Sequence, residues 1–331
     1  MELKEKLLEY IKLNFEKIGI KENEKVSLLD LPSGLWNFNF IVEINGVRKF
    51  VIRAYSPNKE GFYSNSEKSE FQVLKIISNE NISPKPILFD DSKKIISYDV
   101  LIEEYIEGER LQDLEYLHIK EMARVLAKLH SVNIPENCTI EKKDYRIETL
   151  FGISEYMINS YSEKEYVDKE LLDQFKQILK KLKDSLTSLP KFEEKDSIIH
   201  MDLIASNIMV LKNGNIKLVD WESPGIGDPA FDVWAFTNKA FNLWDLDIFM
   251  DEEKKNIFLQ EYLKYRKDKT LIERINAKKD LWILILVIHS LIQYQNFQHG
   301  KVHKELLDRK EKFDKYLPAV ERGLEELRLL L

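Results

Sequence analysis

The chain reads as an α+β protein in two lobes, an antiparallel sheet with helices over residues 1–106 and a mostly helical lobe over 107–331. Three observations predict this. Two Asn-Gly pairs, Asn45-Gly46 and Asn213-Gly214, each lie between apolar runs, which is the strongest short-range hairpin signal. An extended stretch, Glu104-Tyr105-Ile106-Glu107, stops at Gly108, and beyond it apolar residues recur every three to four positions. With 331 residues, 44% hydrophobic and 32% charged, the chain is long enough to bury a sizeable core in each lobe.

Leu3, Leu7, Ile11, Phe15 and Ile18 share helical spacing, so residues 2–18 are predicted to form one amphipathic helix. Runs 38–44 and 47–53 flank the first Asn-Gly pair. Counting outward from a two-residue turn sets Arg53 opposite Phe38. A helix follows over 66–78, with Phe71, Val73, Leu74 and Ile77 on its apolar side and Glu70 beside them. Pro84 and Pro86 end it and lead into strands at 86–89 and 99–104. Past Gly108, Leu117, Met122, Val125, Leu126 and Leu129 predict a core helix from Leu111 to His130. Residues 166–187 read as a charged amphipathic helix with a solvated face. Runs 208–211 and 216–219 flank the second Asn-Gly pair, and the same counting sets Asn207 opposite Asp220. The apolar run 281–288 is too short to span a bilayer and reads as a buried helix, with His289 a core histidine.

Composition excludes several classes. A net charge of −7, with no basic tract interleaved with aromatics, argues against nucleic acid as a partner. A single cysteine, Cys138, forms no internal disulfide, and the six histidines lack metal-ligand spacing, so no zinc site is expected. The charged start Met1-Glu2-Leu3-Lys4-Glu5-Lys6 lacks the apolar core of a signal peptide. The expectation is a cytoplasmic protein that does not enter a membrane.

The segment His200-Met201-Asp202-Leu203-Ile204-Ala205-Ser206-Asn207 and the later Asp220-Trp221-Glu222 carry the chemistry. In phosphoryl transfer a protein acts mostly by positioning and charge neutralisation: one Asp orients the attacking hydroxyl, and an Asn with a second Asp holds metal ions. Asp202, Asn207 and Asp220 stand in that order. A carboxamide oxygen and a carboxylate suit a hard cation such as Mg²⁺. Upstream, the loop Pro32-Ser33-Gly34-Leu35-Trp36-Asn37 has a backbone able to close over phosphates, with Arg53 beside it. Glu70 is placed to hold the Arg53 guanidinium toward a nucleotide, and backbone groups of Glu104 and Ile106, between the lobes, to meet a base edge.

These residues, followed by Gly227-Asp228-Pro229-Ala230-Phe231-Asp232, resemble the aminoglycoside phosphotransferase and choline kinase family over roughly residues 30–240. The resemblance implies a bilobal protein-kinase-like fold. It also implies a kinase that takes phosphate from ATP or GTP, with Mg²⁺, to a hydroxyl of a small molecule. By resemblance Asp202 is catalytic, Asn207 and Asp220 are metal ligands, and Arg53 and Glu70 form the phosphate clamp. Ser33, Gly34, Glu104 and Ile106 then contact the nucleotide, and Asp232 supports the catalytic loop. Departures are Met201 where the family usually has Gly, Ile204-Ala205-Ser206 in place of a frequent His-Pro-Gly, and Ser33 for one of two loop glycines.

A protein kinase is disfavoured because Asp232 follows Asp220 by only twelve positions, leaving no room for an activation segment. A non-catalytic nucleotide-binding scaffold stays open, although all three acting residues are present. For the acceptor, the acidic residues Asp245, Asp247, Asp251, Glu252 and Glu253 could attract a cation, and Trp221, Trp234, Trp244 and Trp282 could stack on it. The plainer reading, a solvated face and core tryptophans, is preferred.

Overall fold

The computed structural model describes residues 3–31, 37–55, 66–186, 192, 195–241, 248–302 and 310–331. The chain divides into two compact units. The first takes Met1–Glu109, Ile134–Ile140 and Met209–Pro224; the second takes Arg110–Asn133, Glu141–Ile208 and Gly225–Leu331.

In the first unit, β1 (Val26–Asp30), β2 (Phe38–Ile44), β3 (Val47–Ala54), β4 (Pro86–Asp90) and β5 (Val100–Glu104) make an antiparallel sheet in the order β1-β2-β3-β5-β4. Because side chains alternate across a strand, its two faces have different jobs. The even-numbered positions of β2, β3 and β5, including Val42, Ile44, Ile52, Ala54, Val100 and Ile102, form an apolar core with Leu7, Tyr10 and Ile11. Their odd-numbered neighbours Asn39, Arg53 and Glu103 are polar and nevertheless buried.

Those N-terminal core residues belong to α1 (Leu3–Leu13), which a short α2 (Phe15–Ile18) follows. The single helix predicted over 2–18 is therefore interrupted. Asn14 Nδ2 donates to Tyr10 O at 2.9 Å, a local bond that competes with helix propagation, and Gly19 at φ 79° closes α2. α3 (Ser66–Ile77) follows as expected, its Phe71 stacked on Phe89 of β4 at 5.5 Å.

Both hairpin registers differ by one from the count. At Asn45-Gly46 both residues have positive φ, 53° and 79°, as a two-residue turn requires, and Ile44 pairs with Val47. A bulge between Val42 and Glu43 then shifts the ladder, so Arg53 faces Asn39 and not Phe38. At the second pair only Gly214 has positive φ, 81°. Leu211 N donates to Asn215 O at 2.8 Å, so the turn holds three residues, and the count that set Asn207 opposite Asp220 fails. Its strands are β8 (Ile208–Val210) and β9 (Ile216–Leu218), which join β6 (Glu109–Arg110) in a three-stranded sheet.

The second unit is mostly helical: α4 (Tyr116–Leu129), α5 (Ile147–Ser162), α6 (Lys169–Leu186), α7 (Ala230–Thr237), α8 (Glu252–Tyr265), α9 (Leu271–Gln298), α10 (Lys310–Asp314) and α11 (Tyr316–Arg328). α4 starts five residues later than Leu111, whose N–H is bonded to Ile208 O at 2.9 Å. Its buried stripe includes Ile119, Met122, Leu126 and Leu129, whereas Leu117 is 59% exposed. The apolar run 281–288 sits within α9, against which α5, α6, α7 and α11 pack. Among the described residues no helix is long and apolar enough to cross a membrane. A short ribbon of β7 (Ser197–Ile199) and β10 (Gly225–Gly227) frames the loop at 200–207. A Cβ at Gly227 would lie 2.9 Å from Lys143 O and 3.0 Å from Ile199 Cδ1, so this strand approaches its neighbours more closely than a side chain allows.

Candidate active site

In the second unit, the loop bearing Asp202 is fixed by one buried carboxylate. Asp232, on the first turn of α7 and fully buried, accepts from His200 N at 2.7 Å and Met201 N at 2.9 Å. His130 Nε2 lies 3.2 Å from the same carboxylate, and its Nδ1 lies 2.8 Å from Tyr262 Oη. Burial lowers the His130 pKa against the pull of Asp232, which leaves the ring neutral at pH 7. A neutral ring has one donor, so Nε2–H serves Asp232 and Nδ1 accepts from Tyr262. Ser197 Oγ donates to His130 O at 3.0 Å, and Arg266 also donates to that carbonyl.

Asp202 is partly exposed, and Asn207 grips it from behind. Asn207 Nδ2 donates to Asp202 O at 3.0 Å and to Asp202 Oδ2 at 2.8 Å. A short 3-10 turn at Ala205–Asn207 brings the amide back to the aspartate. With its nitrogen so engaged, the Asn207 carboxamide oxygen is the atom of that side chain that could coordinate a cation. Met201, ahead of Asp202, holds φ at 69°, an uncommon conformation for a residue with a side chain.

A deeper ionic network supports α7. Asp228, 2% exposed, caps Ala230 N at 3.0 Å and pairs with Lys278 at 2.8 Å and Arg274 at 3.0 Å. Burial would raise its pKa, but Lys278 and Arg274 outweigh that and hold it below the usual carboxylate range.

The first unit carries the other predicted residues. Arg53, 4% exposed, sits on the polar face of the sheet, and its Nη1 lies 2.7 Å from Asp220 Oδ1, 3.2 Å from Glu70 Oε1 and 3.5 Å from Glu222 Oε1. Burial alone would lower the guanidinium pKa; the three carboxylates hold it well above its ordinary value. Tyr55, two residues on and on the same face, donates its hydroxyl to Glu70 Oε2 at 2.5 Å. Burial pushes Glu103 up to about 8, opposed by Arg53 and reinforced by Glu70 and Asp220. Asp220 itself has φ 64°, so the chain turns sharply just past β9.

Arg53 Nε is buried and has no acceptor among the described residues. Such an orphan donor suits an added oxygen, and a set of carboxylates beside it suits a hard divalent cation. The donor chemistry therefore fits a metal–phosphate pair.

Glu104 N–H is donated to Lys85 O at 2.8 Å, and its carboxylate lies 3.4 Å from Lys217 Nζ. A base edge read by Glu104 would have to use its carbonyl. Ile106 is 7% exposed. Ser33 and Gly34 lie outside the described residues, as do Trp244, Asp245 and Asp247. Trp221, Trp234 and Trp282 are buried. Asp251 caps α8 by accepting from Lys254 N at 2.8 Å, and Glu253 accepts from Tyr116 Oη at 2.8 Å. Asp251 and Glu253 thus have structural work on this side of the unit.

Sequence reading passed over Tyr55, Glu103, Tyr262 and Arg266 as members of the site, and took Glu222 only as part of the Asp220-Trp221-Glu222 string without a role of its own. A polar Glu103 in the otherwise apolar strand Val100-Leu101-Ile102, and a Tyr at strand alternation from Arg53, were the signals available. Tyr262 and Arg266 gave none, since they meet His130 across 132 and 136 residues.

A bilobal α+β chain with these two residue sets is a kinase-like phosphotransferase. The sequence profile of the phosphotransferase enzyme family matches residues 27–266, and the chain belongs to that family. Among solved structures, ethanolamine kinase from Plasmodium vivax is similar at 18% identity and TM-score 0.68, covering 98% of this chain and 89% of that one. Choline kinase from Cryptosporidium parvum gives 19% and 0.64, with 97% of each chain covered. A spectinomycin phosphotransferase in complex with ADP and spectinomycin gives 15% and 0.64, covering 96% of this chain and 97% of that one. At these identities the likeness is one of fold. No curated protein matches the sequence significantly.

Proposed function

We propose that this protein transfers the γ-phosphate of ATP or GTP to a hydroxyl of a small acceptor, as a Mg²⁺-dependent kinase acting in the cytoplasm. The observation that carries the reading is the grip of Asn207 on Asp202, on a loop whose two preceding amides are fixed by Asp232. That arrangement presents one carboxylate in a set orientation, which is what hydroxyl positioning needs.

Asp202 accepts a hydrogen bond from the acceptor hydroxyl and takes its proton late, because an ordinary aspartate, with a pKa of about 3.9, is a weak base. As the new O–P bond forms, the bond to the bridging β,γ oxygen breaks, and the nucleoside diphosphate leaves with that electron pair. Asn207 and Asp220 supply metal donors, and the bound cation would neutralise charge on the phosphates. Arg53, steadied by Glu70, contacts the phosphates; Ser33 and Gly34 close over them; Glu104 and Ile106 meet the base through backbone groups. The relatives named above act on ethanolamine and choline or bind spectinomycin, so the acceptor class favoured here is an amine-bearing alcohol.

The test is a phosphotransfer screen with Mg²⁺ and ATP or GTP over aminoglycosides, choline, ethanolamine, amino sugars and nucleosides. One acceptor should turn over, and Asp202→Asn should abolish turnover with nucleotide binding retained. If no acceptor reacts, and Asp220→Ala leaves Mg²⁺–nucleotide binding unchanged, a nucleotide-binding scaffold becomes the better account.

A further inference from the structure

Glu103 follows three apolar residues of β5, pairs with Val51, and lies on the same sheet face as Arg53, which pairs with Leu101 two positions away. It is 4% exposed. Among the described residues nothing hydrogen-bonds to its carboxyl, and no cation stands within ion-pair distance of it. The charged and titratable groups that face it are Arg53 on β3, Tyr55 just after it, Glu70 on α3, Asp220 beyond β9 and Glu104 next along β5. Burial outweighs the pull of Arg53, so below a pH of about 8 the group is a neutral carboxylic acid. Such an acid offers one donor and one acceptor side by side. Buried and unsatisfied, the pair suits a ligand edge with the opposite pattern.

The backbone just past Glu103 decides which edge that is. Glu104 N–H is spent on Lys85 O at 2.8 Å and Tyr105 N–H on Lys49 O at 2.9 Å, which leaves the Glu104 carbonyl and the Ile106 N–H for a base. A carbonyl only accepts, so on adenine it meets an N6 hydrogen, while the N–H two residues on meets N1. Back along the chain from Glu104 comes Glu103; round the base in the same sense from N6 comes N7. There adenine presents an acceptor, N7, beside the second N6 hydrogen, whereas guanine presents two acceptors, N7 and O6. We infer that Glu103 makes the donor site select adenine over guanine, its carboxylic acid donating to N7 and accepting from the N6 amino group. This rests on the phosphotransferase reading above and goes beyond it in choosing ATP over GTP. Against guanine the acid satisfies one acceptor and sets its own carbonyl oxygen against the other, a mismatch that rejects the wrong base.

The experiment is titration calorimetry of ATP, GTP and 7-deaza-ATP into the full chain with excess Mg²⁺, at pH 7 and pH 9, for the wild type, Glu103→Gln and Glu103→Leu. At pH 7 the wild type should prefer ATP to GTP by about tenfold or more, and 7-deaza-ATP, with C–H in place of N7, should bind roughly tenfold more weakly than ATP. At pH 9 the ionised carboxylate would face the N7 lone pair, and ATP affinity should fall by about tenfold. Glu103→Gln, whose amide keeps one donor beside one acceptor, should hold the ATP preference at both pH values. Glu103→Leu should bind ATP and 7-deaza-ATP alike. The inference is overturned by a wild type that binds GTP or 7-deaza-ATP as tightly as ATP, which needs no variant, or by a Gln variant whose ATP affinity falls with pH as the wild type's does. In either case tight nucleotide binding would leave the phosphotransferase reading standing. Absence of binding to all three nucleotides would remove that reading and this inference together.

Discussion

Asp232 Oδ1 accepts the Met201 amide at 2.9 Å while Met201 holds φ at 69°, so a carboxylate on α7 clamps an unfavourable turn immediately before Asp202. The same carboxylate serves His200 N and His130 Nε2. Asp232→Asn would offer one acceptor oxygen where two are used and set an N–H against a donor. We expect a loss of about 2–4 kcal/mol in unfolding free energy, as for a buried charge-assisted hub. Turnover should fall further than nucleotide affinity, which denaturant titration and steady-state kinetics would separate.

Residue 201 tests the strain directly. Val at a positive φ is a genuine outlier, whereas Gly is at ease there, at the cost of a more flexible unfolded chain. Met201→Val should therefore destabilise by about 1–2 kcal/mol, and Met201→Gly should stay within about 1 kcal/mol of the wild type. The order of their denaturation midpoints is the readout.

Gly323 poses a contest between two effects. On α11, replacing Gly by Ala favours the helix by about 1 kcal/mol. A Cβ there would lie 2.3 Å from Val287 Cγ2 on α9 and force the two helices apart. Overpacking of this kind costs about 1–3 kcal/mol, so Gly323→Ala should lower the melting temperature despite its better propensity.

His289 supplies a pH dependence. Burial lowers its pKa from 6.5 to about 4, so the folded chain prefers the neutral ring. A histidine depressed in this way contributes stability above 6.5 and loses it as pH falls toward 4. The residue is partly exposed, which trims the effect to about 1–2 kcal/mol. His289→Phe should narrow the gap in melting temperature between pH 7 and pH 5; an unchanged gap would place the acid sensitivity elsewhere.

Much of the candidate site was legible because its residues are close in sequence. Asp202 and Asn207 are five apart, and the amide-to-carboxylate bond needs only a short turn between them. The sheet was legible from alternation and two Asn-Gly pairs. The registers were not, because a bulge after Val42 and a third turn residue at Lys212 depend on local twist rather than on the dipeptide. Asn14 looked like one more helical residue until its side chain took the Tyr10 carbonyl. The surroundings of Arg53 were half legible: Glu70 follows from helix position, but Glu222 and Asp220 reach it from 169 and 167 residues away, and no periodicity carries that information.

That long reach bears on synthesis. Residues 1–109 of the first unit leave the ribosome about 100 residues before the segment 209–224 that bears Asp220 and Glu222. At ordinary elongation rates this interval lasts several seconds or more. Throughout it Arg53 has Glu70 as its one available carboxylate of the three, and Ile82 O still awaits the Leu218 amide that will bond to it at 2.8 Å. The nascent first unit thus pairs Arg53 with Glu70 alone and has an open edge at Ile82, and a chain truncated before Leu218 would lack all three later partners.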